Sequence, residues 1–343
     1  MVIRFLQSPA SWAGLGITCG SVQTVETRRS WVFLAGDRVL KLKKPVRERL
    51  LDFSTPALRA QACREELRVN RRLAPGVYLG LVALRRTPTG WRLDRDGRDG
   101  ADDWAVLMRR LPPQRMLDHL LATGRAAPAQ ATALAQRLAA FWQAAPRCPA
   151  HAAGLPARLE DELELSLALL ADPRWALPDA GTLLQGCARA LRAGAPLLAH
   201  RVAAARIVEG HGDLRPEHVC LPERPAPPGA WPVQPLVIDA LEFDPALRVV
   251  DPFDELAYLA LECRRLGAPG FGLRVLARCA RLLGDHPPHA LLRLYTGHRA
   301  MLRARQAVSH LLEPEVREPA RWRPLAAWYL RCADAALRPL ALP

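Results

Sequence analysis

Two aspartates in the second half of the chain have the settings that chemistry on a bound ligand requires. In HGDLRPEH, Asp213 directly follows Gly212, which permits a tight or positive-φ backbone. Further along, the apolar run LVID ends in Asp239. A carboxylate on a tight loop can orient a hydroxyl acceptor, and one at a strand end can project into a cleft and bind a hard divalent cation. The pair therefore indicates phosphoryl-transfer chemistry, in which the protein mainly positions groups and neutralises charge.

The lysines of this chain are confined to one short stretch. They occur only at positions 41, 43 and 44, in RVLKLKKPV, whereas arginine fills the other cationic positions. A site that keeps lysine favours a compact ammonium over a planar guanidinium. Lys41, at the end of VLK, is the candidate phosphate-binding cation, and Glu66 is its expected partner. Lys43, on the same strand face, is the alternative cation, and Glu65 is the alternative acid.

The first third of the chain has the pattern of a small sheet with one main helix. Residues 1–20 show no clear period and are expected to form a lead-in segment. Short apolar runs over 21–44, with a turn signal at Gly36-Asp37, predict an antiparallel meander of three strands. Pro56 then opens a helical pattern, and three more apolar runs, YLGLVALRRT, GWRLDRD and WAVLMRRL, predict three further strands.

From residue 114 onward the pattern is helical, with prolines between amphipathic segments. Short strands around HGD interrupt it, and the Pro-rich stretch 222–235 is predicted to be a flexible surface insertion between two of them. The chain is therefore predicted to be α+β, with an N-terminal nucleotide-binding lobe over 1–108 and a C-terminal catalytic and acceptor-binding lobe over 109–343. The hinge is placed at about 104–113, and the cleft between unequal lobes is a usual place for a nucleotide.

Composition argues against several classes of partner. The formal net charge is +14, but the arginines are spread through the chain without a block of like charges or interleaved aromatic residues, so no nucleic-acid partner is predicted. No uninterrupted apolar stretch is long enough for a membrane span, and the start lacks a signal-peptide pattern. The eight cysteines form no CxxC pair, which fits a reducing compartment. A cytoplasmic protein with no membrane partner is expected.

Three blocks of sequence resemble the aminoglycoside phosphotransferase and choline kinase-like family. They are VETRRSWVFLAGDRVLKLKKPV, LDFSTPALRAQACREELRVNRRLAPGVYLG, and HGDLRPEH with VIDALEFDPALRVVDPFDELAYL. The resemblance spans about residues 21–310. It implies a bilobal protein-kinase-like fold, with a small mixed N-lobe containing an antiparallel sheet and one main helix, and a larger, mostly helical C-lobe.

More narrowly, the three blocks resemble a bacterial subgroup in which this domain often precedes a P-loop kinase-like domain. The sequence contains no GxxxxGK[ST] motif, so only the phosphotransferase-like part is expected here. A separate P-loop kinase-like partner is one expectation that follows.

The resemblance also implies a role for each residue of the site. It assigns Asp213 as the catalytic base, Asp239 as a ligand of Mg²⁺, Lys41 as the lysine that contacts the phosphates, and Glu66 as its partner. The nucleotide would be ATP or GTP, and the acceptor a hydroxyl of an unidentified small molecule.

Further roles come from the same resemblance. Arg215 lies where a cation meets the transferring phosphate, because HGDLRPEH parallels the protein-kinase pattern HRDLKPEN. His211 and Asp254 would brace the catalytic loop. Backbone atoms near Met108 to Arg110 would hold the adenine.

One position departs from the family pattern. The second metal ligand of the family is an Asn five residues after the catalytic Asp, and here that position is His218. Neutral imidazole is a poor ligand for Mg²⁺. The departure predicts a site with one metal, a site that uses Mn²⁺, or weak catalysis. The alternative to an active phosphotransferase is therefore a pseudokinase that acts as a nucleotide-binding or interaction module. Transfer to a protein hydroxyl is a third hypothesis.

Overall fold

A computed structural model describes residues 2–95, 100–223, 231–313 and 315–340. The chain divides into two compact units. The first, here called the sheet unit, consists of Met1–Thr123 and Glu217–Leu247. The second, the helical unit, consists of Gly124–Pro216 and Arg248–Pro343. The stretch HGDLRPEH is divided between them, because the chain leaves the helical unit at Pro216 and re-enters the sheet unit at Glu217.

The strands lie mostly in the first third of the chain, where the apolar runs predicted them. In chain order they are β1 (Val22–Glu26), β2 (Ser30–Ala35), β3 (Arg38–Lys43), β4 (Arg47–Glu48), β5 (Leu51–Asp52), β6 (Tyr78–Thr87), β7 (Gly90–Asp94), β8 (Asp103–Arg109), β9 (Val208–Glu209), β10 (Val219–Cys220), β11 (Leu236–Val237) and β12 (Val249–Val250). Among the described residues, six of these strands form one antiparallel sheet in the order β1-β2-β3-β8-β6-β7. The predicted meander of β1 to β3 and the three later strands are confirmed.

The helices dominate the rest of the chain. In chain order they are α1 (Val2–Gln7), α2 (Pro56–Asn70), α3 (Leu117–Ala122), α4 (Pro128–Gln143), α5 (Pro149–Ala153), α6 (Leu155–Leu170), α7 (Ala180–Ala193), α8 (Ala195–Ala203), α9 (Pro252–Arg265), α10 (Pro269–Leu283), α11 (His289–Ser309) and α12 (Pro319–Leu337). The α+β prediction is confirmed. In the parts of the chain that the structure covers, no helix combines the length and apolar character needed to cross a membrane.

Helix α2 is the main helix of the sheet unit, and its sequence explains both its start and its position. The hydroxyl of Thr55 accepts a hydrogen bond from the Leu58 amide at 3.3 Å, and Pro56 occupies the first turn, where its missing N–H is not needed. The buried face of the helix, which includes Cys63 and Leu67, packs into one core cluster with β8. Glu66 lies on this buried side, so the fold brings a carboxylate into the interior.

The predicted lead-in segment contains two short helices. Helix α1 and a 3-10 helix at Pro9–Leu15 place Leu6, Trp12 and Leu15 in a buried cluster against the sheet. The indole N–H of Trp12 donates to the Leu6 carbonyl at 2.9 Å. The sequence shows no clear period here because each helix is short, but the segment still buries large apolar side chains.

The Pro-rich stretch 222–235 joins β10 to β11, which pair antiparallel. Residues 224–230 of this predicted flexible insertion lie outside the described residues, and its flexibility stays a prediction.

Helix α9 opens the second stretch of the helical unit. The Asp251 side chain accepts a hydrogen bond from the Phe253 amide at 2.9 Å, and Pro252 occupies the first turn, so Asp251 is the N-cap of the helix. Arg201 donates to both oxygens of the Asp251 carboxylate, at 2.5 and 3.1 Å. The cap therefore ties α8 to the start of α9.

Candidate active site

A cluster of ion pairs in the sheet unit brings together residues far apart in the sequence. Lys41 lies on β3, and its Nζ donates to Glu66 Oε1 at 2.8 Å and to Asp239 Oδ1 at 2.7 Å. Lys43 lies two residues further on the same strand, so its side chain is on the same face. Its Nζ donates to Glu66 Oε2 at 2.7 Å and also to Glu242. The structure thus brings both candidate lysines to Glu66, one at each carboxylate oxygen.

Burial separates the roles of the two lysines. The Lys43 side chain is 1% exposed, whereas that of Lys41 is 18% exposed and lies beside Asp239, whose side chain is 45% exposed. Lys41 is therefore the lysine that a ligand can reach. Glu65, the alternative acid, pairs with Arg68 at 2.7 Å on the same helix. The geometry favours Glu66 as the partner of Lys41.

The charges of this cluster stabilise one another. Burial by itself raises the pKa of Glu66, but Lys41 and Lys43 outweigh it and hold the pKa below its usual value. Burial lowers the pKa of Lys41, and the carboxylates of Asp239 and Glu66 more than reverse that effect, so its pKa is raised. The pKa of Lys43 is raised for the same reason by Glu242 and Glu66. All three groups are therefore charged at neutral pH.

The backbone at Asp239 is held in an unusual conformation. Its φ is +64°, in the left-handed region that costs a non-glycine residue about 1–2 kcal/mol. The Asp239 amide donates to the Tyr78 hydroxyl oxygen at 3.1 Å, and the Ala240 amide donates to Asn70 Oδ1 at 2.8 Å. Asn70 in turn donates to the Glu66 carbonyl at 3.0 Å. Helix α2 thus supports both the acid that holds Lys41 and the segment that carries Asp239.

The predicted metal-binding pair is assembled, with one unfavourable donor. His218 Nε2 lies 3.6 Å from Asp239 Oδ2. Among the described residues, no group of three or more His, Cys, Asp or Glu side chains is placed to hold a metal ion. Magnesium in phosphoryl-transfer sites needs only one or two protein carboxylates, because phosphates and water complete its shell. Asp239 fits that requirement, whereas the imidazole of His218 suits softer metals.

In the helical unit, a buried carboxylate holds the HGD loop. Glu255, on α9, accepts hydrogen bonds at Oε1 from the His211 amide at 2.8 Å and from the Gly212 amide at 2.5 Å. Its Oε2 accepts from the indole N–H of Trp142 at 2.9 Å. Burial raises the pKa of Glu255 in spite of these three donors. Gly212 has a φ of +89°, so the loop needs glycine at this position.

The two residues predicted to brace the loop act in different ways. His211 does so directly, because its Nδ1 accepts a hydrogen bond from the Asp213 amide at 3.2 Å. Asp254 acts through Arg299, a residue that sequence reasoning missed. Arg299 holds both oxygens of Asp254, at 2.8 and 2.6 Å, and donates to the Gly212 carbonyl at 3.3 Å.

Asp213 and Arg215 form a fork within the loop. The Nε and Nη2 atoms of Arg215 each lie 3.0 Å from one oxygen of the Asp213 carboxylate. Both side chains are about one-fifth exposed. A carboxylate in this loop can accept the proton of a hydroxyl acceptor. The guanidinium occupies the oxygens that an acceptor hydroxyl would need.

The predicted adenine segment lies at the end of β8. The Arg109 amide donates to the Val77 carbonyl and the Arg110 amide to the Asp37 carbonyl, both at 2.8 Å. Met108 is paired within the sheet with Val39 and Tyr78. Two of the amides in this segment are thus used by the sheet unit itself, and its role toward adenine stays a prediction.

The arrangement of elements in this chain is similar to that in several solved structures of small-molecule kinases. A choline kinase from Cryptosporidium parvum matches with a TM-score of 0.54 at 9% identity, over 94% of this chain and 91% of that one. A thermostable mutant of aminoglycoside phosphotransferase APH(4)-Ia matches with a TM-score of 0.52 at 14% identity, over 99% of both chains. A choline/ethanolamine kinase family protein from Mesorhizobium loti matches with a TM-score of 0.50 at 16% identity, over 94% and 93%. The chain has the choline kinase fold. The predicted protein-kinase-like fold is confirmed.

The relatives found by sequence are longer than this chain. Uncharacterized proteins of Mycobacterium tuberculosis (strain H37Rv) and Mycobacterium bovis are 32% identical to this chain over 285 residues, which is 82% of the chain and 53% of each relative. The chain thus spans about half the length of the curated relatives it matches. No protein-family model matches the sequence.

Several residues that shape the site in this kinase fold were not identified from the sequence. They are polar residues that hold the predicted ones in place: the buried Asn70, Glu255 and Arg299, and the partly buried Glu242. Asn70 had a usable signal, because it is the sole asparagine of the chain. The other three belong to common residue types, and no spacing marks them.

Proposed function

We propose that this chain is an ATP- or GTP-dependent phosphotransferase that moves the terminal phosphate to a hydroxyl of a small molecule. The observation that carries the proposal is the position of Lys41. Its ammonium lies 2.8 Å from Glu66 and 2.7 Å from Asp239, at the exposed edge of a buried ion-pair cluster in a kinase fold. Such a cation, fixed by acids and open on one side, is suited to bind a polyphosphate.

The reaction exchanges one phosphorus–oxygen bond for another. The bond from the terminal phosphorus to the bridging oxygen of the nucleotide breaks, and a bond to the acceptor oxygen forms. Asp213 orients the acceptor hydroxyl and takes its proton, while Lys41 neutralises charge on the nucleotide phosphates. Arg215 is a second cation for the transferring phosphate once its fork on Asp213 opens.

A divalent cation completes the proposed site. Asp239 would supply one carboxylate to Mg²⁺, and the bound ion would neutralise charge on the phosphate oxygens. His218 is a nitrogen donor. We therefore propose that the wild type prefers Mn²⁺ over Mg²⁺ more strongly than a variant with an oxygen donor at position 218 would.

The site is tested by a screen of metabolites for ATP-dependent mass gain of one phosphate. We expect the Asp213→Ala variant to lose transfer by about 10²-fold or more, the range typical of a positioned general base. Asp172→Ala is a matched control, because Asp172 also pairs with an arginine two residues later, through a contact of 2.8 Å to Arg174. Full transfer by Asp213→Ala would refute the assignment of the base.

A catalytically weak nucleotide-binding module is the second candidate, and His218 is the observation that favours it. Its imidazole lies 3.6 Å from Asp239, where the family pattern has an amide oxygen. Nucleotide binding by thermal shift in Mg²⁺ or Mn²⁺, without product in the screen, would support this candidate. We expect His218→Asn to increase Mg²⁺-dependent transfer if the first proposal holds. No gain in either binding or transfer would argue that His218 has no part in metal binding.

A further inference from the structure

We propose that Lys43 and Glu242 are positioning residues, which set the placement of Lys41 and Asp239 for nucleotide binding. The inference rests on the proposed function, since it concerns how that site is held. Neither residue has an assigned part in phosphoryl transfer, and neither needs to touch the nucleotide for the inference to hold.

The observation is a ring made of five side chains of alternating charge and the backbone that joins its two acidic ends. Starting from Asp239, the contacts run to Lys41 at 2.7 Å, to Glu66 at 2.8 Å, to Lys43 at 2.7 Å and then to Glu242. Asp239 and Glu242 belong to one tetrapeptide, DALE, so the backbone closes the ring. The ring ties β3, α2 and the segment after β11 to one another.

Glu66 is the member through which the two lysines are coupled. Its side chain is 0% exposed, and each of its oxygens accepts from one lysine. Without Lys43, Oε2 would have to turn toward Lys41 or lose its donor. The direction of Glu66, and hence of the Lys41 ammonium, therefore depends on Lys43, and Lys43 is held in turn by Glu242.

Stability alone does not explain why these charges are kept. Buried ion pairs often contribute little net stability relative to apolar residues of similar volume, because desolvation offsets their attraction. Lys43 is buried, with 1% of its side chain exposed, and the Glu242 side chain is 10% exposed, so both ions are largely removed from water. What such a pair does supply is a fixed direction, and Lys41 is the group that benefits.

The ring also carries one negative charge in excess, since two ammoniums face three carboxylates. Replacing Lys43 and Glu242 together leaves that excess unchanged. The double variant Lys43→Met/Glu242→Met therefore removes the positioning pair, keeps the net charge of the ring and changes the side-chain volumes only slightly. A matched control is Glu65→Gln/Arg68→Gln. It removes a more exposed ion pair, with the two side chains 2.7 Å apart, from α2, the helix that carries Glu66.

The three lysines of the chain make the test direct. Lysine labelled with ¹³C at Cε gives one NMR signal for each of Lys41, Lys43 and Lys44, and the double variant retains two. The probe is ATP with Mg²⁺, titrated into the full chain. We expect the Lys41 signal of the wild type and of the control to shift with the same affinity. In the double variant we expect affinity to fall about tenfold or more, as for other residues that orient a ligand-binding group, with a smaller Lys41 shift.

The outcomes separate the two proposals. Equal affinity and an equal Lys41 shift in a folded double variant would overturn the positioning role and leave the proposed function standing. A wild type that does not bind ATP would overturn both. If the double variant does not fold, Glu242→Gln takes its place, because it keeps the volume and removes the negative charge that holds Lys43. Unchanged ATP affinity and an unchanged Lys41 signal in that variant would also overturn the inference, and a weaker affinity would support it.

Discussion

Glu255 offers a sharp test of how the HGD loop is held, through the substitution Glu255→Gln. The change is nearly isosteric and replaces one carboxylate oxygen by an NH₂ group. Oε1 can still accept from the His211 and Gly212 amides, which lie at 2.8 and 2.5 Å. The new Nε2 group instead faces the indole N–H of Trp142, which donates to Oε2 at 2.9 Å in the wild type. Two donors then meet in a buried site.

The magnitude follows from these three hydrogen bonds. The two bonds from the His211 and Gly212 amides no longer end on a charged oxygen, which lowers the contribution of each to stability by about 1 kcal/mol. The buried indole N–H of Trp142 loses its acceptor, which costs about 1–3 kcal/mol. Relief from burying a carboxylate offsets part of this, since burial raises the pKa of Glu255. We expect a net loss of about 2–4 kcal/mol in the free energy of unfolding.

A double-mutant cycle with Trp142→Phe isolates the conflict between the two donors. The phenyl ring removes the indole N–H, so Glu255→Gln should be less costly in that background, with a coupling energy of about 1–2 kcal/mol. Urea unfolding of the four proteins measures it. If the two substitutions are additive, the indole does not interact with Oε2 and the assigned geometry of the loop support is wrong.

Two other predictions concern a glycine beside Glu255 and the effect of acid on Glu66. In Gly210→Ala the new Cβ would lie 2.5 Å from Glu255 Oε2, so we expect a loss of about 1–3 kcal/mol on urea unfolding. Gly186→Ala, within α7 and with nothing within 4 Å of its Cβ, should be neutral or stabilising, and equal effects at the two sites would contradict this reasoning. The third prediction concerns acid. Because its lysines hold the pKa of Glu66 below the usual 4.5, its ionised form stabilises the fold above that pH, and this contribution is lost as pH falls through the lowered pKa. Glu66→Gln should therefore be destabilised at pH 7, with a deficit that shrinks in acid unfolding curves, and a deficit independent of pH would argue against the ion pairs.

The sheet unit was predictable because its signals are local. Turn residues such as Gly36 and apolar runs of strand length mark each strand of the meander, and a Thr-Pro start marks α2. Lys41 and Glu66 could be proposed as partners from residue type and from their elements alone. The order of the sheet, in which β8 lies between β3 and β6, joins strands distant in sequence, and it was not predicted because no local signal marks such a pairing.

The supports of the site could not be predicted in the same way. Glu255 and Arg299 contact the HGD loop from α9 and α11, and Asn70 contacts the segment after β11 from α2. Each is a long-range contact made by a single polar side chain on a buried helix face. A helix pattern shows which face is buried, but it does not show which buried polar group meets which backbone amide. Asp254 illustrates the limit, because its predicted brace on the loop runs through Arg299.

The proposed catalytic groups are held in pairs that any substrate must reorganise. Lys41 donates to Glu66 and Asp239, and both oxygens of Asp213 accept from Arg215. A polyphosphate that binds Lys41 competes with Asp239, which a divalent cation bound with the phosphates would draw away from the ammonium. An acceptor hydroxyl at Asp213 competes with Arg215, whose guanidinium would then be free to meet the transferring phosphate. Under the proposed function, displacement of Arg215 from Asp213 would also free a cation for the transferring phosphate, and we therefore expect acceptor and nucleotide to bind with positive coupling. Arg215→Lys, which loses the fork but keeps the charge, should weaken that coupling more than it weakens the binding of either ligand alone.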